Sequence, residues 1–258
     1  YDPFIKRGLD AMNYALYQDS RFMVVATPSG VTLAPEGGAH QSIVTPLIGM
    51  GLPNLATYEP AFVDELAVIM RWGFEYMQAP DGGSVYLRLS TRSLAQPPRP
   101  MTAELARAIV DGGYWMRAPG PACRVAIAYT GAVAPEAQAA LLRLAEHDAS
   151  VGLLAITSAD RLYQGWSSAQ AARRRGDQAR SHVEALLNQL PSDAALVTVI
   201  DGHPAALGWL GSVHRNPLHA LGTIRFGESS DIPDALAKHG LGTDSIVAAA
   251  REACANQP

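Results

Sequence analysis

Apolar residues return at helical spacing from the first positions of the chain. Phe4, Ile5, Leu9, Met12, Ala15 and Leu16 follow Pro3, a pattern that predicts a helix over 3–18. Residues 22–26 form a short continuous apolar run and predict a buried strand, as do 55–58. Pro60, with Asp64 and Glu65 suited to a helix dipole just after it, marks a helix running to about 77. Residues 84–89 predict a third strand, entered through Asp81, Gly82 and Gly83. Pro97, Pro98 and Pro100 then interrupt any regular element, which predicts a linker over 97–100. Beyond it, strands are expected at 123–129, 151–156, 196–200 and 219–224. Helices are expected at 135–146, 181–190, 204–210, 232–238 and 243–253. Strands alternating with helices imply parallel sheets covered on both faces. The expected fold is therefore α/β, with two three-layer domains spanning 1–96 and 101–258.

Composition narrows the function classes. The chain has 258 residues, 48% of them apolar and 17% charged, enough to bury sizeable cores and too apolar for general disorder. A formal charge of −4 without a basic stripe argues against nucleic acid as the main partner. No apolar run reaches the roughly 18 residues of a membrane helix, so no membrane partner is expected. Cys123 and Cys254 cannot form a disulfide framework and have no metal spacing around them, which predicts a reduced, intracellular, cytoplasmic setting. The sequence does not start with Met, and helical periodicity begins at once, so the chain reads as part of something longer.

Ligands of open parallel sheets gather outside the carboxyl ends of strands. The loop after the 22–26 strand occupies that position and is rich in Gly and Pro, with Glu36 and His40 four apart. An imidazole can donate to a developing oxyanion or shuttle a proton at neutral pH, and a nearby carboxylate can orient it or bind a hydroxyl. The alternative is a loop histidine bonded to backbone. His203 follows a strand and opens a helix, a site-like position that also suits a plain helix-start residue. His214 and His219 lack metal-pair spacing, and Arg173, Arg174 and Arg175 suit a solvated face better than an anion site. No nucleophile elbow, P-loop or dinucleotide fingerprint occurs.

The run Pro35-Glu36-Gly37-Gly38-Ala39-His40-Gln41, followed by Leu52-Pro53-Asn54 and the strand ending in Glu59-Pro60-Ala61, resembles transketolase-type thiamine diphosphate enzymes. Within them the chain is most similar to the homodimeric pyruvate dehydrogenase decarboxylating component. The stretch 64–70 and the terminal Phe226-Gly227-Glu228-Ser229-Ser230-Asp231 carry the likeness further. The resemblance implies that 1–96 is the later part of a pyrimidine-binding domain and 101–258 a transketolase C-terminal domain. It implies that Tyr1 and Phe4 lie beside the cofactor, with Phe4 stacking on the aminopyrimidine ring. It implies that His40 contacts the substrate carbonyl and that Glu36 is the accompanying acid. Glu36 in place of the usual Asp, and Pro28 where transketolases carry a second histidine, point away from sugar chemistry. Arg92 falls one place from the phosphate-binding arginine of transketolases.

The family's magnesium and diphosphate motif is absent from this sequence, so the resemblance places the Mg2+ and diphosphate ligands in a missing N-terminal domain or chain. The implied activity is decarboxylation of a 2-oxo acid, forming an enamine and acylating a lipoyl group, in a homodimer served by a lipoyl acyltransferase component. Two alternatives stay open: transketolase ketol transfer, and a non-catalytic dimerisation or regulatory module.

Overall fold

The computed structural model describes residues 1–255; the end of the segment expected as 101–258 lies outside the described residues. In the first part of the chain, α1 (Ile5–Tyr17), β1 (Met23–Ala26), α2 (Thr45–Gly51), β2 (Leu55–Tyr58), α3 (Val63–Tyr76) and β3 (Ser84–Arg88) follow one another. Their strands form a parallel sheet in the order β1-β3-β2. Successive side chains of a strand point to opposite faces, and both faces of β2 and β3 are covered; β1, expected as a buried strand, is an edge strand with Val25 exposed. Leu55, Tyr86 and Ala26 pack with Met12 and Leu16 of α1, while Ala56, Tyr58, Val85 and Leu87 pack with Ile69 of α3.

Residues 89–102 form no helix or strand and lead to the second part. There α4 (Ala103–Asp111), β4 (Gly113–Arg117), β5 (Val125–Thr130), α5 (Ala134–Ala145), β6 (Gly152–Ile156) and α6 (Ala159–Arg174) come first. They are followed by α7 (His182–Leu187), β7 (Ala195–Ile200), α8 (Ala205–Gly208), α9 (Gly211–His214), β8 (Leu218–Leu221), α10 (Ile232–Lys238) and α11 (Thr243–Ala255). The sheet order is β4-β6-β5-β7-β8. Ile127, Leu153 and Val197 face α5 and α11, and Ala128, Leu154 and Leu196 face the side of α6, α7 and α8. Near-continuous apolar strands are what a parallel sheet buried on both faces requires.

The α/β class and the parallel sheets hold. One departure is β4, an edge strand that runs antiparallel to β6, so the second sheet is mixed. Another is that α2, α4, β4, α6 and α9 form where the sequence pattern predicts no element. The helix expected over 204–210 is shorter, and the strand expected over 219–224 is β8 at Leu218–Leu221. No described helix is long and apolar enough to cross a membrane.

What matters for function is how the strand ends meet. The loop after β1, Glu59 after β2, Arg88 ending β3 and Asp201 after β7 all lie at carboxyl ends of parallel strands. The two lobes join there. Glu59 N–H donates to the Thr157 carbonyl at 2.8 Å, and the Val31 N–H donates to both carboxylate oxygens of Asp201 at 2.9 Å.

Candidate active site

The loop between β1 and α2 is held by both lobes. Two short 3-10 turns, Gly30–Leu33 and Gly38–His40, shape it, and Gly30 through Ala34 are buried. Gly38 lies so close to Gly227 that a β-carbon would strike the Gly227 carbonyl, so only glycine allows this approach. Gln41 donates to the Glu228 carbonyl at 3.1 Å, and Ser230 N–H donates to the Ala34 carbonyl at 3.2 Å. The segment 226–231, singled out in the sequence, thus packs on the turn that carries Glu36 and His40.

All four residues named from the sequence come together here. The Tyr1 and Phe4 rings lie parallel, 5.7 Å apart at 7°, and Tyr1 meets the His40 ring edge-on at 6.3 Å and 78°. Tyr1 is hydrogen-bonded to Glu36, and that bond, with the carboxylate charge, raises the phenol pKa above its ordinary value. Tyr1 and Phe4 are 47% and 45% exposed, so ring surface is open to a ligand. Arg7, itself exposed, lies over Phe4 at 5.0 Å. An apolar cavity of about 290 Å³ runs beside this pair, lined by Phe4, Ile5, Met12, Phe22 and Val24. The His40 Nδ1 is buried and has no hydrogen-bond partner, so this nitrogen is uncommitted within the chain.

Sequence reasoning missed the charged layer underneath. Asp2 is fully buried between Tyr1 and Phe4; it accepts from Ser42, Tyr86 and Thr45 Oγ1 (2.6 Å), and from Arg88 Nε at 3.1 Å. Arg88 Nη1 donates to Glu59 Oε1 at 2.5 Å. Burial pushes the Asp2 carboxyl up, but Arg88 and the three hydroxyls outweigh it and hold the group below its ordinary value. Glu59 is pushed up to about 7, first by burial and then by Asp201 and Asp2, with Arg88 opposing. Asp201 is raised to about 6, chiefly by burial. The one available signal was an arginine ending an otherwise apolar strand.

The other candidates are occupied elsewhere. Arg92 makes a two-pronged bond with Glu136 at 2.7 and 2.6 Å and a third to the Ala132 carbonyl. His203 Nδ1 accepts from Ala205 N–H at 3.2 Å, and its N–H donates to the Ile43 carbonyl, so it caps a helix start and bridges the lobes. Arg173, on the exposed end of α6, pairs with Glu184 at 2.8 Å. Among the described residues no three His, Cys, Asp or Glu side chains are grouped to hold a metal ion.

No protein-family model matches the chain. It is similar to the pyruvate dehydrogenase E1 component of Buchnera aphidicola, 25% identical over 225 residues, which is 84% of this chain and 25% of that protein. It is also similar to the pyruvate dehydrogenase E1 component of Mycolicibacterium smegmatis, 32% identical over 143 residues, or 53% of this chain and 15% of that protein. The chain thus spans about a quarter or less of the length of these curated relatives. Transketolase from Leishmania mexicana superposes with a TM-score of 0.75 at 18% identity, over 100% of this chain and 34% of the other. A split-gene transketolase, described as an inactive beta4 tetramer, superposes with a TM-score of 0.71 at 18% identity over 100% of this chain and 76% of the other. Fold and sequence agree: this chain has a transketolase-type α/β fold and counts pyruvate dehydrogenase E1 components among its sequence relatives.

Proposed function

We propose that the chain is part of the decarboxylating subunit of a thiamine diphosphate-dependent 2-oxo acid dehydrogenase, with pyruvate as its 2-oxo acid. One observation carries this reading. Tyr1, Phe4, Glu36 and His40 come from separate stretches of sequence and meet in one half-open cluster at the carboxyl end of a parallel sheet. The cluster suits a flat heteroaromatic ring, because two parallel aromatic faces and an apolar cavity stand beside the His40 ring.

Thiamine diphosphate, when bound, supplies the electron sink that lets carbon dioxide leave a 2-oxo acid. Phe4 would hold the pyrimidine ring by stacking, with Tyr1 as backing. Glu36 orients Tyr1 through their hydrogen bond, and the Tyr1 edge limits where the His40 ring can sit. His40 donates to the substrate oxygen as negative charge develops there and returns a proton during transfer, the kind of electrostatic aid worth about 3 kcal/mol. The Mg2+ and diphosphate ligands belong in this reading to polypeptide beyond this chain, with the cofactor bridging the two in a homodimer. A lipoyl group on an acyltransferase component would accept the acyl unit.

Ketol transfer is the competing chemistry, and Arg92 weighs against it. The guanidinium that would have to take a sugar phosphate is held on two prongs by Glu136. In the complete enzyme, pyruvate decarboxylation and xylulose 5-phosphate consumption separate the two: turnover of pyruvate alone is expected, and turnover of the sugar phosphate alone would overturn the reading.

A further inference from the structure

We propose that Arg88 is a positioning residue of this site, fixing the aromatic pair and the His40 segment to one buried anchor through its grip on Asp2. What the site does is taken from the reading above; the grip itself does not depend on it.

Arg88 ends β3 with 1% of its side chain exposed, so it cannot touch a ligand in the open cluster. Its reach is inward. Nε meets Asp2 Oδ2 at 3.1 Å and Thr45 Oγ1 at 3.3 Å. Asp2 lies between Tyr1 and Phe4 in sequence, and its carboxylate also collects Ser42, two residues beyond His40. Fixing one carboxylate therefore fixes the turn that carries Tyr1 and Phe4 and the strand of loop that leaves His40. The 6.3 Å edge-on approach of Tyr1 to His40 is the geometric result.

The other prong anchors the hub to the second lobe. Arg88 Nη1 holds Glu59, whose carbonyl accepts from Thr130 Oγ1 at 3.3 Å and whose N–H donates to Thr157. Gly131 packs so tightly on that carboxylate that a β-carbon would sit 2.6 Å from Oε1. A guanidinium suits this task because its rigid fork reaches two carboxylates in fixed directions, which a lysine ammonium on a flexible stem does not.

The test compares Asp2→Asn and Arg88→Lys with the parent chain, without calling on activity. Two readouts are followed: the ring-proton NMR shifts of His40, which sense the Tyr1 ring, and amide hydrogen exchange at His40 and Gln41, whose N–H groups donate to the Gly37 and Gly38 carbonyls. Asp2→Asn keeps the shape of the side chain but drops its charge. It should move the His40 signals toward those of Tyr1→Ala and speed exchange at His40 and Gln41 by about tenfold, the effect of losing one charge-assisted hydrogen bond. Arg88→Lys, which keeps the charge and loses the fork, should do the same. Amides of α6, remote from the hub, should be unchanged. Change in only one of the two readouts, or in neither, overturns the proposal. So does Arg88→Lys behaving as the parent chain, since charge alone would then suffice. Global unfolding of Asp2→Asn would make the hub a general stability element and overturn it equally. Each of these results stands apart from whether pyruvate is the substrate.

Discussion

Tyr1 lies stacked on Phe4 and edge-on to His40, with its hydroxyl bonded to Glu36, so one phenol ring ties together every candidate contact. Phe4 contributes ring surface and no polar atom. In the proposed enzyme, Phe4→Ala should weaken thiamine diphosphate binding by about tenfold, the cost of a lost stacking pair, as read by calorimetric titration; unchanged affinity would remove Phe4 from the site. Glu36 and His40 stood out in the sequence as an acid and an imidazole in a glycine-rich loop, whereas Tyr1 and Phe4 were expected at the site only through the family resemblance. Asp2 was not expected there. A carboxylate at the start of a helix ordinarily faces solvent and the helix dipole. Here it is fully buried, because Ser42, Thr45, Tyr86 and Arg88 converge on it from positions at least 40 residues away.

At the scale of elements, the strands other than β4 were readable as short apolar runs, and the helices that escaped were polar or short. In α6, only Asp160, Leu162 and Ala169 are buried, so no apolar stripe marks it; it is fastened instead by Trp166 stacking on Trp209 at 5.5 Å and by Asp160 taking the Thr57 N–H. The turn from α4 into β4 rests on Gly112, whose φ of +111° is left-handed and whose β-carbon would lie 2.7 Å from the Ser158 carbonyl. Gly112→Ala should destabilise the chain by about 1–3 kcal/mol, measured by denaturant titration; a neutral effect would contradict this account of the turn.

The strand-end carboxylates carry a pH dependence of their own. Glu59 titrates near 7 when folded against an ordinary 4.5, and Asp201 near 6 against 3.8, so both bind a proton more readily in the folded chain. Their contribution to stability is fully present below the ordinary values and is lost as pH rises through about 6 to 7. Asp2 is shifted the other way, and its contribution is lost only as pH falls below the ordinary carboxylate range. Facing Glu59 are Arg88, Asp2 and Asp201. Thermal stability should therefore fall between pH 5 and 8, and Glu59→Gln should remove on the order of 2 kcal/mol of that fall. Parallel melting curves for the two proteins across that range would contradict the assignment.

For the molecule as a whole, the lobes are not loosely strung. One hydrophobic cluster runs from Ala56, Ile69 and Val85 to Tyr114, Val125 and Val197, and the polar hub of Arg88 lies at the same junction. Residues 89–102, with Pro97, Pro98 and Pro100, carry the chain from one sheet to the other, and nothing in local sequence told how closely the sheets would be joined. That closeness depends on contacts such as Gly38 against Gly227 and Val31 against Asp201, which are far apart in sequence. These contacts hold the His40 turn between the two sheets.

The most direct measurement is the kinetic comparison of His40→Ala with the parent in the complete enzyme, alongside thiamine diphosphate affinity for both. Loss of a group that acts only on developing charge should lower turnover of pyruvate by about 100- to 1,000-fold while cofactor affinity stays within a few-fold. Turnover retained within a few-fold, or affinity lost in step with turnover, would contradict the account.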